Sequence, residues 1–87
     1  MKARVLIRLK PGILDVQGAA VQRALAGLGF ADVRDLRVGK LIEVEVDAAT
    51  PAAARARVDE MCRKLLANTI LEDYEIEAVT AERLAPR

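Results

Sequence analysis

The chain has no histidine, a single cysteine and two aromatic residues among its 87 residues. Histidine is the side chain whose pKa lies nearest to neutral pH, and nucleophilic hydroxyls and thiols usually depend on such a base. The lone Cys62 can form neither an intrachain disulfide nor a cysteine zinc site. The sequence therefore predicts a protein that works by binding, with no catalytic residues and no bound cofactor or metal of its own.

The chain also lacks an excess of charge of one sign, because 14 basic residues against 13 acidic ones leave a net charge of +1. Nucleic acid and anionic membranes reward a basic excess, and Phe30 and Tyr74 are too few to stack on bases. The first residues, from Met1 to Lys10, contain no apolar run long enough for a membrane span or a signal peptide. We therefore expect no nucleic-acid partner, no membrane partner and a cytoplasmic location.

What the chain does have is alanine, which supplies sixteen of its apolar residues. Alanine adds little buried volume, and a chain this short buries only about two thirds of the surface that its unfolded form exposes. We expect a single domain over residues 1–80, a frayed tail over 81–87, and a thin core that favours association with other chains.

Hydrophobic periodicity predicts strands and helices in alternation. Lys2–Lys10 alternates charged and apolar residues like a strand, and Asp15 is placed to cap a helix that Gly29 ends. A strand over Ala31–Val38 and a second over Leu41–Asp47, joined at Gly39-Lys40, resemble a hairpin. The apolar positions of the first helix are Val21, Ala24, Leu25 and Leu28.

Thr50-Pro51 is typical of a second helix start, and Tyr74–Val79 of a last strand. Ion pairs four residues apart are expected on the outside of this helix, Arg55 with Asp59 and Glu60 with Lys64. The order β-α-β-β-α-β predicts an α+β two-layer sandwich, in which two helices cover one face of an antiparallel sheet. The expected buried stripe of the helix is Ala54, Val58, Met61, Cys62 and Leu65.

The loop from Lys10 to Gly18 is one candidate binding segment, because it combines two glycines with polar groups and an apolar pair. Its alternative interpretation is purely structural, a turn followed by a helix cap, with the apolar pair folded back as a hydrophobic staple. The candidate residues of this loop are Ile13, Leu14, Asp15 and Gln17.

The segment from Leu65 to Tyr74 is the second candidate, with Asn68, Ile70 and Leu71 as its site residues. Asn68 could simply end the helix in a left-handed conformation. Ile70 and Leu71 could return to the core or cover a neighbouring subunit, and local physics leaves both open.

Taken together, the Pro-Gly-x-Leu-Asp-x-Gln-Gly loop, the Leu28-Gly29-Phe30 stop and the late Leu-Leu-Ala-Asn segment resemble the PurS family, the small subunit of phosphoribosylformylglycinamidine (FGAM) synthase. The similarity runs from about Lys2 to Val79. The sequence departs from the family at Val16 and Thr69, where proline is common, and both changes free the backbone locally.

This resemblance implies a non-catalytic accessory subunit in de novo purine biosynthesis. A homodimer or tetramer, formed through sheet-edge strands, would bridge a glutamine amidotransferase subunit and the large FGAM synthetase subunit and support ammonia transfer between them. The synthetase would use ATP and Mg, and exposed loops such as Ile13-Leu14 would engage the glutaminase. The alternative from another class is a free-standing ACT-like regulatory module that binds a small metabolite, since its strand and helix order is the same.

Overall fold

The computed structural model describes residues 1–81, and most of the predicted tail over 81–87 lies outside them. Its sheet has the order β2-β1-β3, and both neighbouring pairs are antiparallel. The α+β class, with an antiparallel sheet and two helices, is confirmed. The elements are β1 (Lys2–Leu9), α1 (Val16–Gly27), β2 (Lys40–Glu45), α2 (Pro51–Met61), a π-helical turn (Cys62–Leu66) and β3 (Glu72–Thr80).

The central strand β1 has one buried and one charged face, as its alternation predicts. Ala3, Val5 and Ile7 are at most 1% exposed and point to the helix side. On the other side, Lys2 and Arg4 form ion pairs with acidic residues of β2 and β3. The buried apolar core is small, with several alanines in it: Ala3, Val5, Ile7, Val46, Ala54, Val58, Cys62 and Ala67.

The strand predicted over Ala31–Val38 is wrong, because this part of the described chain forms no strand and hence no hairpin at Gly39-Lys40. Its backbone groups bond to side chains. The Gln22 amide donates to the Val33 carbonyl at 3.1 Å, and the Val38 N–H donates to Asp15 at 2.8 Å. The segment is half-buried beside α1, and this produces its alternation of polar and apolar residues. Alternation of this kind does not tell whether a segment is paired with a neighbouring strand.

The second helix, α2, is the element that covers the sheet. Thr50 caps it by accepting a hydrogen bond from the Ala53 N–H at 3.1 Å, and Pro51 occupies its first position, as predicted. Ala54 and Val58 are fully buried against β1 and β3. The helix therefore combines a good local start with an apolar face that the sheet covers.

The buried stripe of α2 does not continue to Leu65, which is 81% exposed, so that part of the prediction is wrong. The Ala67 N–H donates to the Cys62 carbonyl five residues earlier, at 3.0 Å, which defines the π-helical turn. This wider turn shifts the face of the helix, so Leu66 and Ala67 turn inward and Leu65 turns out. Such turns are rare and occur frequently at functional sites.

Of the two ion pairs predicted on the surface of α2, one forms. Lys64 pairs with Glu60 at 3.2 Å and lowers the pKa of that carboxyl group. Arg55 does not pair with Asp59 but donates to the Ile76 carbonyl of β3 at 3.1 Å. Asp59 instead pairs with Arg63 at 3.0 Å and accepts a 2.6 Å hydrogen bond from the Tyr74 hydroxyl, which raises the pKa of Tyr74. The helix is thus tied to β3 by polar contacts as well as by its apolar face.

The first helix, α1, has the predicted ends but not the predicted burial. Asp15 caps it, and Gly29 beyond its end has a φ of 99°, which favours glycine. The residue of this helix that is buried is Gly18. Val21 and Leu28 of the expected apolar face are 40% and 74% exposed, and α1 makes few contacts with the strands. The periodic pattern predicted the position of the helix correctly, but it did not predict whether its apolar face is covered.

Candidate partner-binding surface

The two candidate segments meet at one end of the sheet, where β1 ends and β3 begins. The Lys10 N–H donates a hydrogen bond to the Leu71 carbonyl at 2.8 Å. Nearby, Lys40 and Glu72 form an ion pair at 3.6 Å. The structure thus joins a loop and a turn that are about 60 positions apart in the sequence, as adjacent antiparallel strands require.

The loop after β1 opens with a tight turn that fixes its direction. The Ile13 N–H donates to the Lys10 carbonyl at 3.1 Å, with Pro11 and Gly12 between them. Gly12 has a φ of 87°, so the turn has the type II pattern of proline followed by glycine. Ile13 emerges half-buried, whereas Leu14 is 75% exposed. A staple that buries Leu14 is therefore not formed.

Both carboxylate oxygens of Asp15 are used inside the chain. The Oδ1 atom accepts from the Gly18 N–H at 2.9 Å, and the Oδ2 atom accepts from the Val38 N–H at 2.8 Å. These two backbone bonds, the Val38 bond foremost, lower the pKa of Asp15, and nearby Arg37 adds to the effect. Asp15 therefore acts as a clasp between the start of α1 and the segment before β2, and its neighbours supply the exposed surface.

Gly18 is required by this clasp. A side chain at this position would collide with the Asp15 carboxylate and come within 3.0 Å of the Leu36 carbonyl oxygen. Gln17 and Val16 beside it are exposed, Val16 by 67%. The glycine therefore indicates close packing at the start of the helix. The two residues before it face outward.

Asn68 organises the turn before β3 through three contacts of its own. Its carbonyl accepts from the Leu71 N–H at 3.0 Å and from the Glu72 N–H at 2.6 Å, and its side chain accepts from the Ile70 N–H at 3.2 Å. No described residue other than glycine has a positive φ, so the left-handed alternative for Asn68 is wrong. The side chain builds an Asx turn instead, and this turn projects Ile70 and Leu71 outward.

We call the resulting area the loop-end surface. It consists of Leu14, Val16, Gln17, Ile70 and Leu71, all of which are exposed. A cleft of about 370 Å³ beside it is lined by Leu14, Val16 and Gln17 together with Lys40 and Glu72. Four large apolar residues at one end of so small a domain are typical of a contact surface for another protein.

Sequence reasoning named most of this surface but missed two of its features. Val16 drew notice as a departure from proline, although its exposure now places it on the surface. The ion pair of Lys40 with Glu72 joins positions whose proximity follows from strand order, which a local pattern does not give. The sequence contained no signal for the exposure of Val16 or for this ion pair.

The described residues offer little else that could bind a metal, cross a membrane or act as a nucleophile. No group of three or more metal-ligating side chains lies close enough together among residues 1–81 to hold an ion. Within the same residues, no helix has the length and apolar character that a bilayer crossing requires. Cys62 is buried, and loss of hydration raises the pKa of its thiol, so it is a poor nucleophile.

The fold and this surface together define a small α+β domain with an exposed apolar end. Residues 2–80 match the family model of PurS, described as phosphoribosylformylglycinamidine (FGAM) synthase. The match spans nearly the whole chain. The chain belongs to the PurS family.

Two curated relatives illustrate the similarity. The phosphoribosylformylglycinamidine synthase subunit PurS of Methanocaldococcus jannaschii is 41% identical over 81 residues, covering 93% of this chain and 98% of the relative. The protein of the same name from Bacillus subtilis is 43% identical over 83 residues, with coverage of 93% and 98%. At this identity and coverage the alignments include both candidate segments.

Solved structures of the family have the same fold. The Methanocaldococcus jannaschii PurS crystal structure superposes with a TM-score of 0.82 at 41% identity, covering 93% of this chain and 98% of that one. That protein is described as one of the subunits of formylglycinamide ribonucleotide amidotransferase in the purine biosynthetic pathway. Thermus thermophilus PurS gives a TM-score of 0.83 at 40% identity, with coverage of 94% and 96%.

Proposed function

We propose that this chain is the PurS subunit of an FGAM synthase, and that it serves purine biosynthesis as a bridge between two enzymes. The observation that carries the proposal is family membership over residues 2–80, with relatives that bear this subunit name along almost their full length. One partner is a glutamine amidotransferase that releases ammonia. The other is the large synthetase subunit, which uses ATP and Mg to convert formylglycinamide ribonucleotide to formylglycinamidine ribonucleotide.

The residue inventory suits this division of labour. Holding two proteins in register lets ammonia pass between active sites without dilution, and this needs surface area more than a titrating group. The chain has no histidine, and its cysteine is buried. In this proposal the chain binds no cofactor itself, acts as a homodimer or tetramer, and resides in the cytoplasm with its partners.

The loop-end surface is the part we assign to the glutaminase. Its apolar residues are held outward by built turns, at Pro11-Gly12 and at Asn68, so they need no rearrangement to bind. Asp15 supports the surface by clasping the start of α1 to Val38. Preorganised apolar contacts of this kind lower the entropic cost of docking.

Reconstitution tests the proposal directly. The purified chain is mixed with the glutaminase and synthetase subunits of the same organism, and formation of the amidine product is measured with glutamine and, separately, with ammonia. We expect glutamine-driven turnover to need this chain and ammonia-driven turnover to need it less. If neither activity responds to the chain and no complex co-elutes, the bridging function is rejected.

A double variant tests the assigned surface. Ile13→Asp with Leu14→Asp places two charges where an apolar contact is expected, and should lower glutamine-dependent turnover at least tenfold while sparing ammonia-dependent turnover. The matched control is Ala49→Asp with Ala52→Asp, exposed positions at the opposite end of the sheet. Circular dichroism checks the fold of both. Unchanged glutamine use in the double variant would remove the loop-end surface from the docking site.

The ACT-like alternative predicts a different result. A module that binds amino acids or purine nucleotides should show a raised melting temperature when the ligand is added, since a ligand of the folded form stabilises it. The bridging subunit should show no such shift with these ligands and should be stabilised by its partner subunits.

A further inference from the structure

One side chain outside the loop-end surface holds the loop that carries Leu14. Arg37 lies in the segment between α1 and β2, and its Nη2 atom donates a hydrogen bond to the Leu9 carbonyl at 2.9 Å. The same atom contacts the Lys10 carbonyl at 3.5 Å, which is the weaker of the two bonds. Leu9 ends β1 and Lys10 begins the loop, so a charged donor holds the chain where it leaves the sheet.

The backbone of Lys10 joins both halves of the loop-end surface. Its N–H donates to the Leu71 carbonyl at 2.8 Å, in the turn before β3. Its carbonyl accepts from the Ile13 N–H at 3.1 Å, which closes the turn before Leu14, and it also accepts from Arg37. Arg37 therefore contacts the oxygen atom that fixes the direction of Ile13 and Leu14.

The far end of the loop is attached to the next residue of the same segment. The Val38 N–H donates to the Asp15 carboxylate at 2.8 Å, so two consecutive residues hold the two ends of the loop. Gly39 follows in close contact with β1, because a side chain there would come within 2.7 Å of the Ile7 carbonyl oxygen. The segment is therefore fixed against the sheet, and a loop with both ends fixed loses less conformational entropy when it docks.

Arg37 is placed to act on the loop more than on the rest of the fold. It is exposed and lies beside Arg8 and Pro11 in a cleft of about 230 Å³. An exposed hydrogen bond adds little to global stability, because water competes for both of its partners. Loss of the Arg37 side chain should therefore leave the fold intact and loosen the turn.

We propose that Arg37 is a positioning residue for glutamine-dependent turnover, which orients Ile13 and Leu14 for docking to the glutaminase and does not itself contact that enzyme. The inference rests on the proposed function, because it takes the loop-end surface as the docking site. A loop that is already oriented binds more tightly. The role of Arg37 is therefore expected in the affinity for the glutaminase and not in the maximal rate.

Amide hydrogen exchange tests the effect on the turn without any partner. In Arg37→Ala, the Ile13 N–H should exchange about threefold faster than in the wild type, because its acceptor is no longer fixed. Arg8→Ala is the matched control, since it removes a guanidinium group from the same cleft and leaves the bonds to Leu9 and Lys10 in place. An unchanged exchange rate of Ile13 in Arg37→Ala would overturn the positioning role.

Titration in the reconstituted complex tests the effect on docking. Glutamine-dependent turnover is measured against the concentration of this chain, with the glutaminase and synthetase subunits held constant. Arg37→Ala should need about fivefold more chain for half-maximal turnover and still reach the wild-type maximum, whereas Arg8→Ala should behave like the wild type. Equal weakening by the two variants would mean that the positive charge of the cleft attracts the partner, and the positioning role would be rejected.

A double-mutant cycle shows whether Arg37 works through Leu14. If it does, Arg37→Ala should weaken docking much less in a chain that already carries Leu14→Ala, because the loop then has little left to present. Half-maximal turnover measures docking in all four chains. A direct contact of Arg37 with the partner, or a general loss of stability, would give the same weakening in both backgrounds and would overturn the proposal.

These outcomes are distinguishable from failure of the proposed function. If glutamine-dependent turnover does not need the chain, the bridge is rejected and the docking role of Arg37 with it. If the chain is needed, and Arg37→Ala speeds exchange at Ile13 but docks as tightly as the wild type, the positioning role alone is rejected and the bridge stands.

Discussion

Both helices of this chain have an N-cap, but their apolar faces lie in different environments. Thr50 caps α2 and Asp15 caps α1, each through a side-chain oxygen that accepts a backbone N–H. Yet Val58 of α2 is fully buried, whereas Val21 of α1 is 40% exposed. Local capping therefore establishes that a helix forms, and the placement of its ends relative to the sheet decides what its apolar face contacts. An apolar face that its own chain leaves open is available to another chain.

The sharpest test of this difference is one substitution made in each helix. Val58→Ala should lower the free energy of unfolding by about 2 kcal/mol, because it removes two methyl groups from a packed site. Val21→Ala should change it by less than about 0.5 kcal/mol in the isolated chain, because the site is open and alanine favours helix. Urea denaturation at low protein concentration measures both. Equal losses would mean that α1 packs within its own chain.

The two helices should also differ in how their stability depends on protein concentration. If α1 is covered by a second copy, the cost of Val21→Ala should rise with protein concentration, as expected for stability linked to association. The cost of Val58→Ala should not depend on concentration in this way.

A second test concerns the polar ties of the two helices. Tyr74→Phe removes the 2.6 Å hydrogen bond to Asp59 that links β3 to α2, and should cost about 1 kcal/mol in chemical denaturation. Gln22→Ala removes the 3.1 Å bond from α1 to Val33, and should cost less because that segment is more exposed. A larger effect at Gln22 than at Tyr74 would contradict the view that α2 is the better anchored helix.

The smallest expected effect is at the Asp15 clasp and depends on pH. Bonds from Val38 and Gly18 lower the pKa of Asp15 in the folded chain, so its contribution to stability is complete above its ordinary pKa of about 4 and is lost as the pH falls through the lowered value. Asp15→Asn should reduce the melting temperature at pH 7, and the difference from wild type should shrink in acid. Asp32→Asn, at an exposed position, is the control and should match wild type throughout. A difference that stays constant into acid would mean that the charge of Asp15 plays no part.

Much of the fold was accessible from sequence because its signals are local. The alternation of β1, the cap at Asp15, the positive φ at Gly29 and the proline start of α2 each depend on a few neighbouring residues, and the structure has all four. The strand expected over Ala31–Val38 failed because alternation reports one half-buried side, whether or not a neighbouring strand supplies hydrogen bonds.

The candidate site was accessible only in part. The resemblance and local composition pointed to two segments as candidates, but their contact through Lys10 and Leu71 follows from strand order. The exposure of Leu65 could not be predicted, because a π-helical turn changes the helix period without any residue type that announces it. The groove of about 380 Å³ between β2 and the end of α2, which this turn helps to form, was therefore absent from the sequence prediction.

Short-range sequence patterns were enough to establish where both helices begin, that β1 has one apolar side, and to which family the chain is similar. These are properties of short spacings and of residue types that favour one backbone conformation. The tertiary structure alone decided that α2 rather than α1 covers the sheet, that Asp15 is a clasp, and that β2 borders an open groove. Such features depend on which distant segments meet, and the energy of their contact is not encoded in any single stretch of the chain.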